Sequence, residues 1–201
     1  MIKYISIMIV SGLILSGCSM EAKTKKVLTV NSKDVIILAM HGVPANDTPE
    51  EKVGEYHKLH GMMKSAPPHV IENIQYHFEQ LDSLVRYWPR TPENDPYYFG
   101  TKKIADEMAK KTGATIFFAF NEFCAPDLPT AFQKAADHGA KRITVITAML
   151  TPGGNHAEID IPKAIEVAKK VHPNIEFNYA WPFGIDPITD LLVNQIASFI
   201  N

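Results

Sequence analysis

The sequence predicts an α/β fold: a parallel β-sheet flanked by helices on both faces. Three observations carry this. Four short runs, residues 35–40 (VIILAM), 115–120 (TIFFAF), 143–150 (ITVITAML) and 175–180 (IEFNYA), are β-branched or aromatic and nearly continuous in hydrophobicity, as strands covered on both faces are. Helical patterns separate the runs, as parallel pairing requires. Glycine and proline close most of those patterns.

Taken in order, the first strand ends in His41-Gly42. Residues 43–90 form a helical insertion, in which Ile71, Ile74, Phe78, Leu81, Val85 and Trp88 recur at helical spacing before the proline-rich loop WPRTPENDPYY. A helix over 100–111 stops at Gly113, and the second strand follows. Helix 127–137 ends at Gly139 and leads into the third strand, which runs out into TPGGNHAEIDIP. Helix 162–171 ends before Pro173, the fourth strand follows, and helix 187–200 closes the chain. Residues 34–201 are expected to be one domain.

The 201 residues are 46% hydrophobic and 21% charged, with a net charge of −2, enough apolar material for one core. No basic stretch offers a nucleic acid its electrostatic footprint, so no nucleic-acid partner is expected. The first residues, MIKYISIMIVSGLILSGC, place Lys3 before a short apolar run and small residues. This is the pattern of a signal peptide over 1–17. The LSGC at its end resembles the bacterial lipobox, which implies lipidation of Cys18 and a tether over 18–33. The expected location is therefore exported, lipid-anchored to a membrane of the bacterial envelope. With Cys18 acylated, Cys124 is left without a cysteine partner.

Ligands in doubly wound sheets bind beyond the carboxyl ends of the strands. Those ends carry His41-Gly42, Asn121-Glu122-Phe123-Cys124, Gly153-Gly154-Asn155-His156-Ala157-Glu158 and Trp181-Pro182-Phe183. His41 and His156 should share one rim, and paired imidazoles suit a borderline divalent metal or proton transfer. Gly153 and Gly154 permit a tight turn and close approach of a flat ligand. Glu158 could supply a carboxylate to the metal or to proton transfer, whereas Asp160, before Ile161-Pro162, reads as a helix N-cap. His138 and His172 sit at helix C-termini, where imidazole suits the dipole. His57 and His60 stand at helical i, i+3 spacing, which could bind a metal but reads first as a solvated helix face, and Cys124 reads as a small half-buried residue.

The stretches VIILAMHG, DPYYFGTKKIADEMAKKTG, GAKRITVITAMLTPGGNHAEIDIP and NIEFNYAWPFGIDPITDLL resemble the CbiX-type sirohydrochlorin chelatases, class II enzymes that insert cobalt or iron into a tetrapyrrole. The resemblance implies a chelatase-like single half-unit, with His41 and His156 as the metal-handling histidines. Glu158 and Glu122 would match the family's acidic positions. It implies Co2+ or Fe2+ as substrate metal, a sirohydrochlorin-like tetrapyrrole, no organic cofactor, and pairing of two copies into a homodimer. The segment 43–90 is longer than in short members, as a lid or a dimer contact would be. The alternative is an exported, non-catalytic metal- or tetrapyrrole-binding lipoprotein on the same fold. A hydrolase is disfavoured, because the chain has no G-x-S-x-G elbow.

Overall fold

A computed structural model describes residues 28–200. Four parallel strands, β1 (Asp34–Met40), β2 (Thr115–Phe120), β3 (Arg142–Thr147) and β4 (Glu176–Tyr179), form one sheet in the order β2-β1-β3-β4. The predicted signal peptide and Cys18 lie outside the described residues.

Among the described residues five α-helices connect the strands, α1 (Glu50–Ser65), α2 (Pro68–Arg86), α3 (Pro96–Thr112), α4 (Leu128–Asp137) and α5 (Ile161–Val171), and α6 (Ile185–Ile200) follows the last one. On one face of the sheet α4 and α5 bury Leu128, Phe132, Ile161 and Ile165 against Val35, Ile37, Ile143, Val145 and Phe177. On the other face α3 sets Ala105 and Met108, with Tyr97 and Tyr98, against Leu38, Met40 and Phe120. Alternate residues of β1 thus serve two cores, which is why the strand reads as a continuous apolar run.

Helix α3 starts at Pro96, four residues before its expected start. Asp95 caps it, accepting the Tyr98 amide at 2.8 Å, with proline in the first turn. It ends at Gly113 in the left-handed conformation, as expected.

The insertion contains α1 as well as α2. Tyr56 and Leu59 of α1, Leu81 and Val85 of α2, and Phe123 of the loop after β2 form a third core. The insertion is therefore seated on the carboxyl edge of the sheet. Helix α6 buries no residue, and its Ile185, Leu192, Ile196, Phe199 and Ile200 stand exposed.

Candidate metal centre

Three loops from three strand ends converge. Gly42, after β1, has φ +96°, a conformation that L side chains avoid. It also lies so close to the next loop that an added Cβ would stand 1.9 Å from the Glu122 carbonyl oxygen. Backbone hydrogen bonds lock the two loops together: Asn121 donates to Met40 and Glu122 to His41, each at 2.9 Å.

The insertion fixes the same loop from the other side. Arg86 of α2 donates to the carbonyls of Asn121 and Cys124 at 3.0 Å, and its Nε to Asp82 at 2.6 Å. Arg90 pairs with the buried Asp95 and donates to the carbonyls of Val43, Val85 and Phe123. The segment 121–124 has no regular structure of its own, so these two guanidiniums satisfy carbonyls that no strand or helix does.

The third loop ends in a π-helical turn, His156–Asp160, which runs into α5. Tyr179 anchors it, its hydroxyl donating to the Ala157 carbonyl at 2.9 Å. Burial pushes that phenol up to about 12.

In this frame donor atoms of His41, Glu122 and His156 all lie within 4.8 Å of one another. The two imidazoles meet edge to face, centroids 4.7 Å apart. His156 Nδ1 lies 2.7 Å from Asp160 Oδ2, and His41 Nδ1 lies 2.6 Å from the Gly42 carbonyl. With Nδ1 donating in each, each Nε2 keeps its lone pair free, the tautomer a metal ligand needs. His156 Nε2 stands 3.4 Å from Glu122 Oε1, and both side chains are 12% exposed. His41 faces solvent. Two nitrogens and one carboxylate oxygen suit a divalent transition metal, and three protein donors leave coordination positions open.

Two further groups from α1 reach Glu122 Oε1: His60 Nδ1 and Lys64 Nζ, each at 3.5 Å. Burial holds the His60 imidazole below its usual range, against the pull of Glu122.

The structure therefore gathers His41, His156 and Glu122, as the strand-end reasoning expected of the two histidines. Glu158 is not brought in. Its carboxylate accepts the Gly153 amide at 2.9 Å, and its amide donates to the Gly154 carbonyl at 3.0 Å, so it shapes the exposed glycine loop. Asp160 is not an N-cap: its dihedrals are helical, it makes no capping bond, and its carboxylate holds His156. His60 is not on a solvated face, being 20% exposed and stacked on Phe78. Its neighbour His57 packs edge-on against Phe123. Cys124 is fully buried, and burial raises its thiol to about 11.

The fold and these donors define a class: a parallel α/β domain with a cluster of two histidines and a carboxylate at its carboxyl edge. Residues 99–198 match the model of the CbiX family. The chain belongs to the CbiX family. It is 35% identical over 78 residues to the sirohydrochlorin ferrochelatase of Priestia megaterium, covering 38% of this chain and 29% of that protein. To the sirohydrochlorin cobaltochelatase of the same organism it is 34% identical over 110 residues, covering 54% and 34%. The chain thus spans about a third of the length of these relatives. Among solved structures it is similar to a CbiX protein of cobalamin biosynthesis from Marinobacter aquaeolei VT8, with TM-score 0.48, 18% identity, and coverage of 82% and 94%.

The expectation of an exported, lipid-anchored protein is corrected by these relatives. They are sirohydrochlorin chelatases, and none is named as exported or lipid-anchored. Among the described residues no helix is long and apolar enough to cross a membrane.

Proposed function

We propose that the protein is a sirohydrochlorin chelatase, a lyase-class enzyme that places Co2+ or Fe2+ in the tetrapyrrole. The convergence of His41, Glu122 and His156 within 4.8 Å carries this reading. The metal is substrate, so it must be held and then released. A centre with three protein donors suits that better than a closed shell of four.

Insertion exchanges two pyrrole protons for one divalent ion. As the metal passes to the macrocycle, each imidazole that lets it go regains a lone pair able to accept one proton. Two imidazoles match two protons, and Glu122 offsets positive charge throughout. The exposed Gly153-Gly154 turn flanks the centre on the His156 side, where a flat macrocycle can approach the backbone.

We infer also that two copies pair. In support, α6 offers an apolar face that nothing among the described residues covers.

The test is the absorbance of anaerobic sirohydrochlorin with cobalt or ferrous iron, compared with the protein-free rate. Wild type should accelerate insertion, and His41→Ala or His156→Ala should each remove most of the acceleration. A stoichiometric shift without turnover would make the protein a binder of metal or tetrapyrrole instead.

A further inference from the structure

We propose that His60, which the insertion delivers on α1, is a further metal donor. It would hold the incoming divalent ion together with Glu122, beside His41 and His156. This rests on the chelatase reading of the same site and extends it to a segment outside the stretch that matches the family model.

Distance is the first reason. Two ligands about 2.1 Å from one tetrahedral ion stand about 3.4 Å apart. His156 Nε2 and His60 Nδ1 lie 3.4 and 3.5 Å from the same oxygen, Glu122 Oε1. A charge-assisted hydrogen bond to a carboxylate closes to about 2.7–2.9 Å. The Nδ1 of His156 makes that kind of contact with Asp160, at 2.7 Å, and His60 makes none with Glu122. Each nitrogen stands from Glu122 Oε1 at the spacing of a donor sharing an ion with it, and Lys64 Nζ, at the same 3.5 Å, would have to yield its place to the cation.

Placement is the second reason. The His60 ring lies parallel to Phe78 with an interplanar angle of 7°, and Tyr56 flanks it at 5.5 Å. An imidazole packed this way spends little side-chain entropy on binding. It lies outside the group whose donor atoms are all within 4.8 Å of one another, so it would close on the ion only once one is bound, a role the trio lacks. With His60 engaged the ion has four protein donors and is retained, and with His60 withdrawn a coordination position opens for the macrocycle.

The experiment adds one equivalent of Co2+ to the full chain without tetrapyrrole. It counts the exchangeable imidazole N–H resonances shifted by the paramagnetic ion. Wild type should give three, and His60→Gln two, with Kd for Co2+ raised about 10- to 100-fold. Glutamine can still hydrogen-bond Glu122, so a merely positioning His60 would leave wild type with two. A wild-type count of two overturns the proposal whether or not the variant folds, and so does unchanged affinity in a folded His60→Gln. Loss of neither resonance nor affinity in His41→Ala and His156→Ala would instead overturn the chelatase reading.

Discussion

Replacing Gly42 by alanine puts a methyl group 1.9 Å from the carbonyl oxygen of Glu122. The obstacle is backbone, so no side chain can swing away. One loop must retreat by at least about 1.1 Å to reach even the tightest tolerated contact. The dihedral adds its own cost, since φ +96° lies where an L residue is strained by about 1–3 kcal/mol. Strain and displacement together should cost about 2–4 kcal/mol and lower Tm by about 5–15 °C. The displaced residue carries the trio's carboxylate, and a 1 Å error in a reacting centre can cost about 100-fold in rate. Gly113→Ala is the control, because Gly113 has φ +69° but nothing within 4 Å of its virtual Cβ. It should cost about 1 kcal/mol and leave Co2+ affinity untouched. Thermal melts and Co2+ titrations on both variants decide the matter. A Gly42→Ala protein with wild-type affinity and the same Tm as Gly113→Ala would refute the loop contact.

Asp160→Ala frees the Nδ1 of His156 and should weaken Co2+ binding about 10- to 100-fold with little change in Tm, read by the same titration. Arg90→Met strands the buried Asp95 carboxylate, and chemical denaturation should show a loss of about 3–5 kcal/mol. The Cys124 thiol, raised to about 11, should resist alkylation at pH 8 until the protein unfolds, as peptide mass spectrometry would show. Because its folded pKa lies above the ordinary 9.0, the stability it contributes is complete below pH 9 and is lost as pH rises toward 11. If α6 pairs two copies, Phe199→Asp should shift sedimentation equilibrium from dimer to monomer without affecting the melt of the α4–α5 core.

The strands were legible because their residues serve two cores at once, which leaves an unbroken apolar run in the sequence. The third was expected to continue to 150 and stops at Thr147, where the chain turns toward the centre. Helix α1 was unnamed because it buries only Tyr56 and Leu59, and Gly54 and Gly61 dilute its pattern. Asp160 resembled an N-cap because Asp before Ile-Pro ordinarily is one. The π-helical turn moves the helix start back by five residues and frees that carboxylate to hold His156. His41 and His156 could be placed from strand ends alone. His60 offered only its i, i+3 spacing with His57, because its actual partners Glu122 and Phe78 are 62 and 18 residues away and no local spacing encodes them.

The same contrast would let the proposed centre hold a metal and still give it up. Affinity in a metal site comes from the number of donors and from how little they must reorganise. Here the trio supplies few donors, while the scaffold beneath it is over-determined. Gly42 is wedged against Glu122, two arginines hold the carbonyls around Glu122, and Asp160 and Tyr179 hold the turn that carries His156. Under the proposed function, rigidity of the frame would set where the metal sits, and scarcity of ligands how readily it leaves. Removing a frame contact should therefore blur the site and lower both binding and turnover. Removing His60 should loosen the metal while leaving the trio in place, so the two kinds of variant separate on a plot of turnover against Co2+ affinity.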